Sequence, residues 1–237
     1  MRRRGPIIER LSRLHESDAT RFLVLLLVVD LGFLLLDGVA TFTDLFARDR
    51  LALNRDRGYP ESFQYMKFVW LTGLMLWIAW RDREPRYVFW GLLFAALGLD
   101  DAFELHESTA DLLVGSMNLA GAGNLRADDF GELSFAIGAG VVVLALVVLV
   151  ALRSGPAFRQ ASLDLFALLV LLGVFGVFLD FAAMAVDLGP MGNRFPSAVE
   201  DWGEMITVSL MAWYAFRMAD MTPAERLATG GLVGRAA

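Results

Sequence analysis

The stretch "LSFAIGAGVVVLALVVLVAL" (Leu133–Leu152) contains no charged residue. As a helix rising 1.5 Å per residue it extends about 30 Å, the thickness of a bilayer's hydrocarbon core. The chain around it is 57% hydrophobic over 237 residues, too apolar for an ordinary soluble domain of that length. Working outward, five further apolar runs lie near 22–43, 63–81, 87–106, 163–186 and 198–217, each interrupted by charge. The last has a purely apolar stretch only from Met205 to Phe216, "MITVSLMAWYAF", so crossing with it draws Glu204 and Asp201 below the headgroups.

The expected fold is therefore all-α: a polytopic membrane bundle of six transmembrane helices, with both termini cytosolic. Residues 1–21 read as a cytosolic interfacial segment, 22–217 as the transmembrane domain and 218–237 as a cytosolic tail. Ile7, Ile8, Leu11 and Leu14 share one face of that first segment, as in a helix lying on a membrane surface. A cleaved signal peptide fits less well, because Asp30 and Asp37 break its apolar region. The absence of cysteine excludes disulfides, thiolate catalysis, iron–sulfur clusters and cysteine zinc sites.

Six spans place the termini on one side with the loops "RDREPR" (Arg81–Arg86) and "RSGPAFR" (Arg153–Arg159). That side collects 14 of the 21 basic residues, which by the positive-inside rule makes it cytosolic in a bacterial inner (plasma) membrane. Trp77, Trp80, Trp90, Trp213 and Tyr214 are then expected to form its aromatic belt. Of the 27 acidic residues, 18 gather on the opposite, outer side. The bilayer is the expected partner, together with a second copy or another membrane subunit, since Gly138, Gly140, Gly173 and Gly176 suit close helix packing. No basic, aromatic-interleaved stripe supports nucleic-acid binding.

One pattern is written three times: "DDAFEL" (Asp100–Leu105), "DDFGEL" (Asp128–Leu133) and "EDWGEM" (Glu200–Met205). Each copy is an acid, an Asp, two residues, a Glu, then Leu or Met. The second and third copies follow the similar loops "GNLR" (Gly123–Arg126) and "GNR" (Gly192–Arg194), which reads as an internal repeat of two helical hairpins. In the six-span topology all three copies reach the outer face. The first acid and the Glu of a copy lie four apart on one helical face, and Asp100, Glu104, Glu107 and Asp111 extend the stripe on the third span. Asp37 and Asp44 on the first span, and Asp180 and Asp187 on the fifth, are further co-facial pairs.

Asp30 lies about 12 Å inside the first span, and Glu204 about 20 Å from Arg217 on the sixth. An ionised carboxylate at that depth costs at least about 2.5 kcal/mol. Protonation, water, a bound cation, or pairing with Arg126, Arg194 or the sole lysine, Lys67, must offset it. The candidate metal ligands are Asp100, Asp101, Glu104, Glu107, Asp129, Glu132, Asp180, Glu200, Asp201 and Glu204, with Asp30 and Asp37 as an inward relay. An all-oxygen set favours calcium, magnesium or manganese over zinc or iron. His106 points away from Asp100 and Glu104 on a continuous helix, and no second His completes a zinc or di-iron pattern.

"LGLDDAFELHE", the preceding "RDRGYPESFQYMKFVW" and the later "GEL" resemble a group of six-span bacterial integral membrane proteins, a likeness that implies an inner-membrane location and assigns no activity. Three functions fit the residues. The first is a transporter or channel for protons or a divalent cation, the second an accessory subunit of a membrane complex. The third is a metal-dependent enzyme acting on a lipid-linked substrate, for which no Gly-x-Ser-x-Gly nucleophile motif is present. Whether the chain is an enzyme stays open at this point.

Overall fold

The computed structural model describes residues 18–43, 50–53, 57–186, 194–229 and 232. They form helices, with no β-strand among the described residues. In chain order these are α1 (Asp18–Phe42), α2 (Tyr59–Arg81), α3 (Tyr87–Phe103), α4 (Leu105–Met117), α5 (Ala127–Leu152) and α6 (Pro156–Gly173). A π-helical segment (Val174–Leu179), α7 (Asp180–Val186), α8 (Arg194–Asp220) and the short α9 (Pro223–Thr229) follow. Pro60 and Pro156 start α2 and α6, where a preset φ helps and a missing N–H costs nothing. The interfacial segment expected before Asp18, and Asp44 and Asp187, lie outside the described residues.

All six apolar runs are essentially helical, but only the second, fourth and sixth lie within one continuous helix that extends beyond the run; the fifth is divided among α6, the π segment and α7. α5 begins at Ala127 and α6 at Pro156, because the polar turns that cap and hydrate a helix end carry no hydropathy signal. The third run departs further from expectation. Glu104 adopts the left-handed conformation (φ 52°, ψ 40°), which ends α3 and starts α4 in a new direction. A side chain with a Cβ adopts this conformation at a cost. The continuous stripe Asp100, Glu104, Glu107, Asp111 is thereby broken, and Glu107 and Asp111 are exposed on α4.

α8 runs through the middle of the bundle, packed on α1, α2, α6 and the π segment, while α2 pairs with α3 and α4 with α5. The core between them holds Leu71, Met75 and Ile78 of α2, Trp90 and Phe94 of α3, Leu165 of α6, and Val208, Met211, Ala212 and Ala215 of α8. Three stretches, Asp18–Phe42, Ala127–Leu152 and Pro156–Met184, are long and apolar enough to cross a membrane. They sit outermost and expose large apolar side chains, among them Leu25, Val28, Leu35, Val141, Val142 and Leu149. α8 is central, and α2 turns its Lys67 side inward while exposing Val69, Trp77 and Trp80. Polar groups inside and apolar ones outside are the reverse of a soluble bundle, and so extensive an apolar surface is suited to lipid. α3 falls short because Glu104 stops it after 17 residues. α2 and α8 fall short through Glu61, Lys67, Glu200, Asp201 and Glu204.

Below, the near end is the one holding Asp18, the Asp82–Arg86 turn, Gly155 and Asp220. The far end holds Phe42, Tyr59, Glu104, Ala127 and Val186.

Candidate functional site

Half-way along α1, Asp30 is fully buried, and so is Lys67 of α2 opposite it. The Lys67 ammonium has three N–H donors, and each has an acceptor: Asp30 Oδ1 at 3.1 Å, Ser209 Oγ at 3.2 Å and the Met205 carbonyl at 2.8 Å. Ser209 in turn donates to Asp30 Oδ2 at 2.6 Å. The Phe63 ring lies 4.9 Å from Nζ and adds a cation–π contact. The result is a net-neutral knot joining α1, α2 and α8, with every lysine proton engaged. Of the ways to offset Asp30 that the sequence leaves open, pairing with Lys67 is the one found here.

The far-end acids have varied surroundings. Asp129 is buried and closes the N-terminus of α5: it accepts from the Arg126 backbone N–H at 2.7 Å and from the Arg126 guanidinium at 2.9 and 3.1 Å. Glu104 lies 3.6 Å from the guanidinium of Arg57, which stands just before α2. Arg57 also donates its backbone N–H to Glu61, which accepts from the Tyr65 hydroxyl as well. Asp37 accepts the Leu53 N–H at 3.4 Å.

The break at Glu104 also corrects the reading of His106, whose Nδ1 comes within 3.3 Å of Asp100 Oδ2 instead of pointing away. Asp101, Glu132, Glu200 and Asp201 are partly exposed and have partners of their own. Asp180 begins α7 immediately after the π segment; its side chain lies outside the described features. Among the described residues no three of these groups come together as a metal site.

The repeated motif has a packing role that its acids concealed. The fourth residue is glycine in the second and third copies, and both glycines are points of closest approach within their hairpins. A Cβ on Gly131 would lie 2.8 Å from the Ala110 carbonyl and 2.8 Å from Val114 Cγ2 of α4. One on Gly203 would strike the Phe175 ring of the π segment, and beside it the Glu204 carboxylate rests against Gly176. π-turns of this kind recur at functional sites. Because the obstacle at Gly131 is backbone, Gly131→Ala is expected to destabilise the protein by about 1–3 kcal/mol, measured by thermal unfolding in detergent. Unchanged stability would show that α4 and α5 can separate freely.

A family model described as "Domain of unknown function (DUF8692)" matches residues 19–218. The chain belongs to the DUF8692 family. No curated protein and no solved structure matches it. The region shared with the family takes in Asp30, Lys67, Ser209 and all three motif copies, and ends before α9.

Two further polar sites within or beside that region were not singled out in the sequence. Asp164 of α6, assigned by hydropathy to the margin of the fifth run, is fully buried two turns inside its helix. It accepts from the Tyr214 hydroxyl at 2.6 Å and from Gln160 at 3.4 Å. Trp90, also fully buried, donates to Ser162 at 3.0 Å, so neither Trp90 nor Tyr214 belongs to a surface aromatic belt. Trp77 and Trp80 are exposed, as that reading requires. At the near end, Asp82 accepts from Arg226 Nη2 at 2.6 Å and Arg81 Nε at 2.8 Å. The two arginines also donate to carbonyls at the end of α8, Met218 and Ala219, and to that of Met221 just beyond it.

Proposed function

We propose that this chain is a six-span protein of the bacterial inner membrane, near end and both termini cytosolic, that moves protons through the Asp30–Lys67–Ser209 knot. The observation that carries this reading is a fully buried carboxylate–ammonium pair, its carboxylate half-way along α1, in a bundle with three helices long and apolar enough to cross a membrane. Ionisable groups at that depth are costly, and their usual return is an ion or proton pathway. Protonating Asp30 would cancel its charge and remove the partner that holds Lys67, so one proton changes contacts among α1, α2 and α8 together. The apolar layer of Leu71, Met75, Ile78 and Met211 on the near side supports a barrier toward the cytosol.

The test is proton flux in proteoliposomes carrying an imposed pH gradient. Wild-type protein should dissipate the gradient, and Asp30→Asn, nearly isosteric, should retain about a tenth of that rate or less. Flux from wild-type vesicles no faster than from protein-free vesicles would refute the reading. A divalent cation held by the far-end acids is the alternative cargo. Calcium, magnesium or manganese retained by purified protein and lost in Glu204→Gln, measured by inductively coupled plasma mass spectrometry, would favour it.

A second reading, an accessory subunit of a membrane complex, is favoured by the tight hairpin contacts at Gly131 and Gly203. Substituting the motif acids would then alter assembly and leave flux untouched.

A further inference from the structure

One turn toward the far end from Lys67, on the same side of α2, stands Gln64. The residue is 7% exposed, and its Oε1 is buried with no hydrogen-bond partner. Residues three apart on a helix have Cβ atoms roughly 5–6 Å from each other. Yet Lys67 cannot serve this oxygen, because its three protons are already given to Asp30, Ser209 and the Met205 carbonyl. A buried amide oxygen left unpaired costs about 1–3 kcal/mol, and native proteins meet that need with protein donors or ordered water.

Polarity along α2 shows where such a water would lead. Glu61, Gln64 and Lys67 follow one another at intervals of three from the far end, with the Tyr65 hydroxyl on Glu61 beside them. Beyond Lys67 the same side of the helix continues as Leu71, Met75 and Ile78, all fully buried and apolar. The polar stripe thus runs from the far end to the knot and stops there. Gln64 is the only member that is both buried and unsatisfied among those three.

We propose that Gln64 holds a bound water molecule that links the Glu61–Tyr65 pair at the far end to the Asp30–Lys67 knot. The water donates to Gln64 Oε1 and keeps its second proton and its lone pairs for neighbours on the knot's side. It is the carrier by which a proton from outside reaches Asp30. This assignment deepens the proton-pathway reading and rests on it for its role, while the water site itself is testable alone.

The experiment has two arms. A density map of the wild-type protein in nanodiscs, at a resolution that resolves ordered water, should show one within hydrogen-bonding distance of Gln64 Oε1. A dry site, or a Gln64 carbonyl turned onto a protein donor, overturns the proposal. In the second arm, Gln64→Leu should slow proton flux at least about tenfold with stability unchanged or raised, and Gln64→Glu should restore flux. Wild-type flux in Gln64→Leu alongside lost flux in Asp30→Asn would overturn the link and leave the pathway reading standing. Wild-type flux in both variants would remove the pathway reading, and the density alone would then decide the water site.

Discussion

Lys67→Met is expected to lower the stability of the purified protein by about 3–5 kcal/mol, because it strands a buried carboxylate that has lost its ionic partner. Asp30 keeps only the Ser209 hydroxyl in that variant. The double variant Asp30→Leu/Lys67→Met should recover most of the loss, since replacing a buried pair by apolar side chains of similar volume is commonly neutral or better. Denaturant unfolding in detergent measures both. A knot kept for conduction predicts a double variant that is stable and inactive, which separates the functional role of the pair from its structural one. Equal loss in single and double variants would mean that Asp30 and Lys67 do not act as a pair.

Arg226→Ala should cost about 2–3 kcal/mol by removing a charge-assisted hydrogen bond to Asp82, while leaving Asp82 the Arg81 side chain. Arg226 and Asp82 expose only 7% and 6% of their side chains, so water does little to weaken this pair. Burial alone pushes the Asp82 carboxyl up. The hydrogen bonds and charges of Arg81 and Arg226 more than reverse that, and hold it below the usual carboxylate range. A carboxyl depressed in the folded state adds stability that is complete above its unfolded value. That stability is lost as pH falls through the folded one. Wild type and Asp82→Asn should therefore differ at neutral pH and converge progressively below about pH 3.9. A difference constant down to acid pH would show that the Asp82 charge is not what holds α9 in place.

Hydropathy made the helices legible, since a run of apolar residues long enough to matter needs no knowledge of its neighbours. It located helical structure in every run, missed the polar first turns of α2, α5, α6 and α8, and did not foresee the divisions within the third and fifth runs. The break at Glu104 was not legible, because left-handed turns are normally announced by glycine or asparagine and this one carries a glutamate. That single dihedral undid the four-acid stripe and turned His106 onto Asp100. Asp30 stood out by its depth, and Lys67 by being the only lysine.

Ser209 and the Met205 carbonyl carried no signal: a serine in a membrane helix is common, and a backbone oxygen has no letter in the sequence. The motif acids drew attention through their charge, whereas the glycines between them set the distance between helices. Close approach is a property of two surfaces, and a single sequence displays one residue at a time.

The order of the helices along the chain bears on how the knot is made. Asp30 and Lys67 belong to consecutive helices, whereas Ser209 and Met205 arrive later in the chain, with α8. In a chain threaded into a bilayer as proposed here, the carboxylate and the ammonium can neutralise one another as a nascent hairpin, so each helps the other past the insertion machinery. That hairpin waits with two ammonium protons unplaced until α8 is delivered, which makes α8 the helix that completes the knot. A chain stopped before α8 would keep only the Asp30 partner and leave two of the three lysine protons without their acceptors.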